Sequence, residues 1–187
     1  MVGPTFLSDQ KEQTAMSVSA GNGFVESAGG REAEKDDNLQ IKRRHLPHWT
    51  MRGATYFVTF RMRVGRLADE EQQAVLEHIR KGDGEFYDLR AAVVMPDHVH
   101  LLLTPKEHDS LSRIMKGIKG GSARRINAMR HQSGQLWQHE SYDRIVRDED
   151  GLREKVEYLF NNPLKAGLTD DPLAYPGSYF SESKEPW

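Results

Sequence analysis

The sequence contains no cysteine. This absence excludes disulfide bonds, thiolate metal sites and cysteine nucleophiles together, and it is typical of a cytoplasmic protein. Long apolar runs are also missing, since the longest are Ala91–Met95 and Leu101–Leu103, against the roughly 20 residues of a membrane-spanning helix. The first ten residues lack a basic segment followed by an apolar one, so we expect no secretion signal and no membrane association.

The chain is long enough for one soluble domain with flanking tails. It has 187 residues, of which 37% are hydrophobic and 29% charged, and this balance is ordinary for a globular protein. Residues 1–41 are rich in serine, glycine and acids, with few apolar side chains, so they are predicted to form a flexible tail. We expect the folded domain at 42–180 and a short C-terminal tail at 181–187.

Charge is distributed unevenly along the chain. The net charge is −2, but residues 1–38 contain seven acids and three bases, so the remainder carries +2. Two segments, 42–66 and 110–138, contain bases and no acid, which suggests an anionic partner such as a phosphate backbone; for either segment alone a solvated surface is an equal alternative. These bases are Lys42, Arg43, Arg44, Arg52, Arg61, Arg63 and Arg66, followed by Arg113, Lys116, Lys119, Arg124, Arg125 and Arg130.

Hydrophobic periodicity predicts an alternation of strands and helices. The order β-α-β-β-α-β-α indicates an α+β, ferredoxin-like or RRM-like sandwich, an antiparallel sheet with helices on one face plus a C-terminal helix. The predicted elements are strands at Thr55–Met62, Phe86–Met95 and His98–Thr104, helices at Asp69–Lys81, Ser110–Arg130 and Asp148–Asn162, and an extended segment at Leu136–Val146.

Local residues suggest where two of the helices are interrupted or end. Gly120-Gly121 is expected to break or bend the second helix, with Ser122 available to cap its second half. Pro163 is expected to stop the last helix at Asn162, because the residue before a proline disfavours helical geometry.

The pattern His98-Val99-His100 lies inside a predicted strand. Side chains at i and i+2 of a strand face the same way, about 6.5–7 Å apart, so either both imidazoles converge on one ion or they are ordinary polar residues of an open sheet face. The alternate residues Val99, Leu101 and Leu103 would then pack on the helices, which places the histidines on the side of the sheet not needed for the core. Without cysteine, a third ligand must offer oxygen or nitrogen, which suits Mg²⁺ or Mn²⁺ and less specifically Zn²⁺.

The last predicted helix carries a tyrosine away from its apolar side. Its stripe comprises Leu152, Val156, Leu159 and Phe160, whereas Tyr158 lies about 200° around the helix from Val156. Tyr158 therefore aligns with Glu154 and Asn162 in an i, i+4, i+8 row on the opposite face. Either this tyrosine is an ordinary amphipathic surface residue or it has a chemical role.

Together these segments resemble a known family. The run MPDHVHLLL at Met95–Leu103 is similar to the His-hydrophobic-His strand of the HUH single-strand nucleases. The run VEYLFNNPLKAGL at Val156–Leu168 is similar to the tyrosine helix of REP-associated tyrosine transposases, single-tyrosine transposases of the insertion-sequence type. Supporting similarity occurs in RRHLPHW (Arg43–Trp49), SARRIN (Ser122–Asn127) and LWQHESYDRIVRD (Leu136–Asp148), so the resemblance spans about Arg43 to Tyr179.

The resemblance implies a metal-dependent endonuclease and strand transferase that acts on single-stranded or hairpin DNA of repeated palindromes. His98, His100 and Asn162 would hold Mg²⁺ or Mn²⁺, and Tyr158 would attack phosphorus to give a 5′-phosphotyrosine intermediate. Tyr142 is the alternative nucleophile, although it has no ligand partner at i+4. Relatives of this kind act as monomers or homodimers, and a nucleoid-associated location in the cytoplasm is expected.

DNA recognition by such a protein would combine aromatic stacking with basic side chains. Candidates for binding a single-stranded guide sequence are Trp49, Tyr56, Arg43, Arg44 and Arg52, although Tyr56 is equally suited to the core and the arginines to a solvated surface. Lys116, Lys119, Arg124 and Arg125 are candidates for the phosphates of a hairpin stem.

Three other functions are consistent with parts of the sequence. A non-catalytic, RRM-like nucleic-acid-binding module would need stacking aromatics on the open sheet face, where the sequence places two histidines. A histidine-ligated zinc hydrolase is disfavoured because no His-Glu-x-x-His pattern occurs. An inactive descendant that only binds hairpins is disfavoured by the presence of His98, His100, Tyr158 and Asn162.

Overall fold

The computed structural model describes residues 53–181 in full, together with the backbone of two short strands, β1 (Gln40–Arg43) and β2 (Pro47–Thr50). These two strands pair antiparallel with each other. All of the described residues belong to one compact unit, Asp36–Trp187. Apart from the start of β1 and Ser181, the predicted tails at 1–41 and 181–187 lie outside the described residues.

The remaining described elements follow the predicted order closely. The elements are β3 (Thr55–Arg61), α1 (Asp69–Arg80), β4 (Tyr87–Val94), β5 (His98–Pro105), α2 (Leu111–Met129), β6 (Tyr142–Val146), α3 (Glu149–Lys165), a 3-10 helix at Pro172–Ala174, and β7 (Ser178–Phe180).

No helix in the stretch 53–181 combines the length and apolarity that crossing a bilayer requires.

The main sheet has five strands in the order β6-β3-β5-β4-β7, and every neighbouring pair is antiparallel. Alternate side chains of the strands face α1 and α2 and form the larger core. The predicted α+β, ferredoxin-like sandwich is therefore confirmed. The sheet side of this core includes Val58, Phe60, Ala92, Val94, Val99, Leu101 and Leu103, and the helix side includes Val75, Ile79, Ile114 and Ile118.

Helix α1 begins in an acidic turn that is tied to the far end of α2. The carboxylate of Glu71 accepts a hydrogen bond from the Ala68 amide at 2.8 Å, which satisfies one of the free amides of the first turn. The same carboxylate forms an ion pair with Arg130 at 2.6 Å. This hydrogen bond to Arg130 holds the pKa of Glu71 below its usual value, so the carboxylate stays charged at neutral pH.

The opposite face of the sheet packs against α3. Val156 and Leu159 of α3 are buried against Phe57, Val93 and Leu102 of the strands in a second, smaller core. The expectation that the histidine-bearing face is not needed for the core was therefore wrong. This face is half covered because α3 lies across it, and the histidines lie beside an apolar contact rather than on an open surface.

Helix α2 runs without interruption from Leu111 to Met129, so the expected break at Gly120-Gly121 does not occur. Ser122 does not cap a second half of the helix. Its hydroxyl is fully buried, donates to the carbonyl of Ile118 at 2.6 Å, and accepts from the indole of Trp137 at 3.0 Å. Each glycine costs only about 1 kcal/mol in a helix, a cost that packing against the core offsets.

The two glycines of α2 differ in what surrounds them, and this difference predicts opposite responses to alanine. A Cβ at Gly120 meets nothing within 4 Å, so Gly120→Ala should raise the free energy of unfolding by roughly 0.5–1 kcal/mol. A Cβ at Gly121 clashes with the ring of His78, whose Nε2 is 3.3 Å from the Gly117 carbonyl oxygen. Urea unfolding of both variants should place the free energy of unfolding of Gly121→Ala about 1 kcal/mol or more below that of Gly120→Ala. Equal stabilities would contradict the contact between Gly121 and His78.

Helix α3 continues past the expected stop at Asn162 and ends at Lys165, with the buried Pro163 inside it. The helix is terminated by Gly167, two residues beyond its last helical residue, which adopts a positive φ of 66°. The amides of Gly167 and Leu168 bond back to the carbonyls of Leu164 and Pro163, an arrangement that closes many helices. Pro163 therefore does not end the helix, and Gly167, four residues later, does.

The segment predicted as extended over Leu136–Val146 is a strand only from Tyr142. Leu136 and Trp137 are instead buried in the larger core. The chain between them and β6 is held by Lys119, whose ammonium donates to the His139 carbonyl at 2.8 Å. In the first half of this segment, strand pairing is limited to an isolated antiparallel bridge between Trp137 and Met62, and the two large apolar side chains enter the core.

Candidate active site

His98 and His100 project from β5 towards the α3 side of the sheet. The centroids of their rings are 4.7 Å apart, and the ring planes are nearly perpendicular. His100 is directly opposite Thr59 of the neighbouring strand β3. The alternation of side chains along β5 thus brings the two imidazoles together, as the spacing predicts.

Both imidazoles are held through Nδ1. His98 Nδ1 is 2.8 Å from a carboxylate oxygen of Asp97, and His100 Nδ1 is 2.7 Å from the hydroxyl oxygen of Thr59. Because a carboxylate only accepts, the proton of neutral His98 lies on Nδ1 and leaves a lone pair on Nε2. Metal-binding histidines are commonly oriented in this way, with the second ring nitrogen bonded to a carboxylate or another polar group.

Nε2 of His100 is buried and has no hydrogen-bond partner among the described residues. The whole residue is only 4% exposed. Burial, together with repulsion from His98 in its protonated form and from Arg61, lowers the pKa of His100 to about 3. The ring is therefore neutral at neutral pH, and in the tautomer that donates from Nδ1 to Thr59 its Nε2 carries the lone pair that a metal ion requires of an imidazole.

Tyr158 lies against His100. The two ring centroids are 5.3 Å apart in an edge-to-face arrangement. Phe57 supports both residues, since its ring stacks on His100 at 5.5 Å and meets the ring of Tyr158 edge-on at 5.9 Å. Tyr158 is nevertheless 44% exposed, so its hydroxyl is accessible to a macromolecular substrate.

Asn162 is half-buried on the same helix as Tyr158, one turn further along. Residues four apart on a helix lie on one face, about 6 Å apart along the axis. Within the described part of the chain, no cluster of three His, Asp or Glu side chains is suited to a metal ion. Among residues 53–181, a third protein ligand for the histidine pair would therefore be of another type, and the amide oxygen of Asn162 is suitable.

Four residues of this site were not predicted from the sequence: Phe57, Thr59, Asp97 and Lys155. The ammonium of Lys155 lies 5.8 Å from the Phe57 ring centroid and 2.7 Å from a Glu154 carboxylate oxygen. Asp97 could have been predicted from the sequence as a site residue, because it directly precedes the first histidine. Phe57 and Thr59 lie on the same side of β3, but no local pattern in the sequence shows that this side faces His100.

The candidate DNA-binding residues differ in whether their side chains are exposed, bonded within the protein or outside the described residues. On α2, Lys116 and Arg124 are exposed, whereas the side chains of Lys119 and Arg125 bond within the protein, Arg125 to Glu77 at 2.6 Å. Arg44 and Arg52 lie outside the described residues, and the side chains of Arg43 and Trp49 are likewise not described.

Two tyrosines have environments that bear on their predicted roles. Tyr56 is completely buried on the α1 and α2 side of the sheet, so of its two predicted roles it has the core one and is not available to stack on DNA. Tyr142 is 51% exposed at the edge strand β6. Among the described residues, the ring contacts of His100 are with His98, Phe57 and Tyr158 and not with Tyr142.

Comparison with known proteins agrees with this fold. A solved structure of a REP-associated tyrosine transposase bound to a REP hairpin matches with a TM-score of 0.59 and 23% identity, over 73% of this chain and 81% of that one. A REP-associated tyrosine transposase of Escherichia coli K12 is 26% identical over 136 residues, which are 70% of this chain and 78% of the relative.

A second relative, from Haemophilus influenzae Rd and assigned to the same kind of transposase, is 24% identical over 104 residues. That alignment takes in 50% of this chain and 59% of the relative's length. The model of the family described as "Transposase IS200 like" matches residues 55–158, more than half of the chain, and the match includes both histidines and Tyr158. The chain therefore belongs to the IS200-like transposase family.

Proposed function

We propose that this protein is a metal-dependent single-strand DNA endonuclease and strand transferase that acts on hairpin-forming, repeated palindromic DNA. The observation that carries the proposal is the contact between Tyr158 and His100, because it places an accessible phenol beside a pair of imidazoles with free ring nitrogens. The relatives named as REP-associated tyrosine transposases, one of them bound to a REP hairpin, support the substrate class.

His98, His100 and Asn162 are the proposed ligands of Mg²⁺ or Mn²⁺. The buried, unpartnered Nε2 of His100 supports this assignment, since leaving such an atom unpaired costs free energy that a ligand would recover. An amide oxygen binds divalent cations more weakly than a carboxylate, so we expect an exchangeable ion. When bound, the cation would polarise the scissile phosphate and offset the charge that develops on its oxygens.

Tyr158 is the proposed nucleophile. Its hydroxyl oxygen forms a bond to phosphorus while the bond from phosphorus to the 3′ oxygen breaks, and the departing strand leaves with a free 3′-OH. The 5′-phosphate stays on the tyrosine. A second 3′-OH can then attack phosphorus and release the tyrosine, so one phosphodiester replaces another and the reaction joins strands without an added energy source.

Tyr158 lies beside His100 of the same chain. Helix α3 packs through Val156 and Leu159 on the same sheet that carries the histidines. We therefore propose that a monomer is competent to cut, with Tyr158 acting beside its own His100. The exposed Lys116 and Arg124 of α2 are proposed to contact stem phosphates, where each would add to the salt dependence of binding.

The proposal is tested by incubating the protein with single-stranded hairpin oligonucleotides labelled at the 3′ end, with and without Mn²⁺. Because the 5′-phosphate remains on the protein, the 3′-terminal fragment should appear on a denaturing gel as a covalent adduct that needs the metal. Tight hairpin binding without an adduct, over several hairpins and metals, would instead favour a non-catalytic hairpin-binding module.

A further inference from the structure

Three strands place Tyr142 in a row with the metal-site residues. Tyr142 of β6 is directly opposite Thr59 of β3, which is directly opposite His100 of β5. Directly paired residues of antiparallel strands point to the same face. Thr59 bonds to His100 on the α3 side, so the ring of Tyr142 projects from that side too, two strand spacings or about 10 Å from His100.

The packing of β6 supports this orientation independently. Val146, four residues beyond Tyr142 on the same strand, packs against the smaller core under α3. Ile145, whose side chain points to the opposite face of the sheet, packs against the larger core. Tyr142 is therefore an aromatic ring, 51% exposed, on the sheet face that carries the histidines and beyond the part that α3 covers.

Two arginines flank this ring on the same face. Arg144 lies two residues further along β6, opposite Phe57, and Arg61 lies two residues beyond Thr59, opposite His98. Each is thus about 7 Å along its strand from the row that contains Tyr142. Both arginines are exposed, and in the described part of the chain neither guanidinium forms an ion pair or a side-chain hydrogen bond.

We propose that Tyr142, Arg61 and Arg144 form a subsite for the nucleotide next to the phosphate that Tyr158 attacks. The ring stacks on the base, and the two guanidinium groups bind the flanking phosphates. Proteins hold single strands by this combination of an aromatic platform and basic side chains, and stacking accepts any base. The inference rests on the proposed function for the identity of the strand, and it gives Tyr142 a binding role in place of a nucleophilic one.

The test measures binding separately from cleavage. All variants are made in a Tyr158→Phe background, and their affinity for a single-stranded oligonucleotide carrying 2-aminopurine is measured by anisotropy and by quenching of the fluorescent base. Tyr142→Thr keeps a residue that favours strands but removes the ring. It should weaken binding by about 10- to 100-fold and abolish the quenching, whereas Tyr142→Phe should bind within about twofold of its parent.

The arginines are tested by salt dependence. Arg61→Ala and Arg144→Ala should each lower the slope of log affinity against log salt concentration by about 0.7, the value for one phosphate contact on a single strand. Lys81→Ala is the matched control, because it removes an exposed charge at the end of α1, on the other side of the sheet. Its slope should equal that of the parent.

The outcomes separate this inference from the proposed function. If the wild type forms an adduct but Tyr142→Thr binds and quenches as its parent does, the subsite is wrong and the proposed activity stands. If the wild type forms no adduct but Tyr142→Thr loses binding and quenching, the subsite stands and the proposed activity is wrong. Melting temperatures of all variants should match their parent, since the three side chains are exposed.

Discussion

Replacing Tyr158 with phenylalanine is expected to abolish the covalent protein–DNA adduct and to lower strand cleavage by roughly four orders of magnitude or more. The substitution removes one oxygen atom and keeps the ring, so the edge contacts with His100 and Phe57 can remain. Hairpin affinity and thermal stability should therefore be nearly unchanged. Single-turnover cleavage of a labelled oligonucleotide in Mn²⁺ measures the loss directly.

Tyr179→Phe is the matched control for this experiment. Tyr179 is opposite Ala92 at the β7 edge of the sheet, and it packs on the α1 side, away from the histidines. Loss of its hydroxyl should leave the rate of adduct formation unaltered. An adduct that survives Tyr158→Phe but disappears on Tyr142→Phe would reassign the nucleophile to Tyr142.

The parts of the site that could be predicted from the sequence are those fixed within one element. Alternation along β5 is a property of any strand, so His98 and His100 had to face the same way. Likewise, Tyr158 had to lie off the stripe formed by Val156 and Leu159, because the period of a helix is fixed. Both relations hold in the structure, where Val156 and Leu159 are buried and Tyr158 is exposed.

The contacts between elements could not be predicted in the same way. Thr59 and His100 are 41 residues apart in the chain, and only the register between β3 and β5 makes them partners. A shift of one residue would have placed Phe57 and Thr59 on the other face. The same reasoning explains why Phe57 was not identified as the ring that supports both His100 and Tyr158.

Local signals were misleading where tertiary packing outweighed them. Pro163 is buried inside α3 and does not stop the helix, and Gly120-Gly121 leaves α2 unbroken. Each of these residues costs a helix a few kcal/mol at most. In α2 the buried contacts on both sides of the glycines, Ile118 and Ser122 among them, are sufficient to keep the helix continuous.

A second substitution should separate the metal site from the stability of the fold. His100→Leu keeps an apolar side chain against Phe57 but removes the buried Nε2 that lacks a partner. Because Thr59 would lose its own hydrogen bond to His100, the double variant Thr59→Val/His100→Leu is the cleaner test. Removing both partners of a buried hydrogen bond is often neutral or stabilising, whereas an unpaired buried polar atom costs about 1–3 kcal/mol.

The metal-free double variant should therefore be at least as stable to urea as the wild type, although it cuts DNA roughly a thousandfold more slowly. Mn²⁺ at 100 times its dissociation constant should stabilise the wild type by about 2.7 kcal/mol and the double variant not at all. Thermal melts with and without Mn²⁺ measure this difference without any DNA. Equal Mn²⁺-induced shifts in the two proteins would exclude His100 as a ligand.

Combining the two inactive proteins tests whether one chain contains the whole site. The Tyr158→Phe protein retains the metal site, and the Thr59→Val/His100→Leu protein retains the nucleophile. If α3 acts on its own sheet, as its packing through Val156 and Leu159 indicates, a mixture should cut no better than either protein alone. Exchange of α3 between two chains would instead pair an intact Tyr158 with an intact His100 in part of the mixture. Recovery of cleavage on mixing would therefore contradict action in one chain while leaving both residue assignments in place.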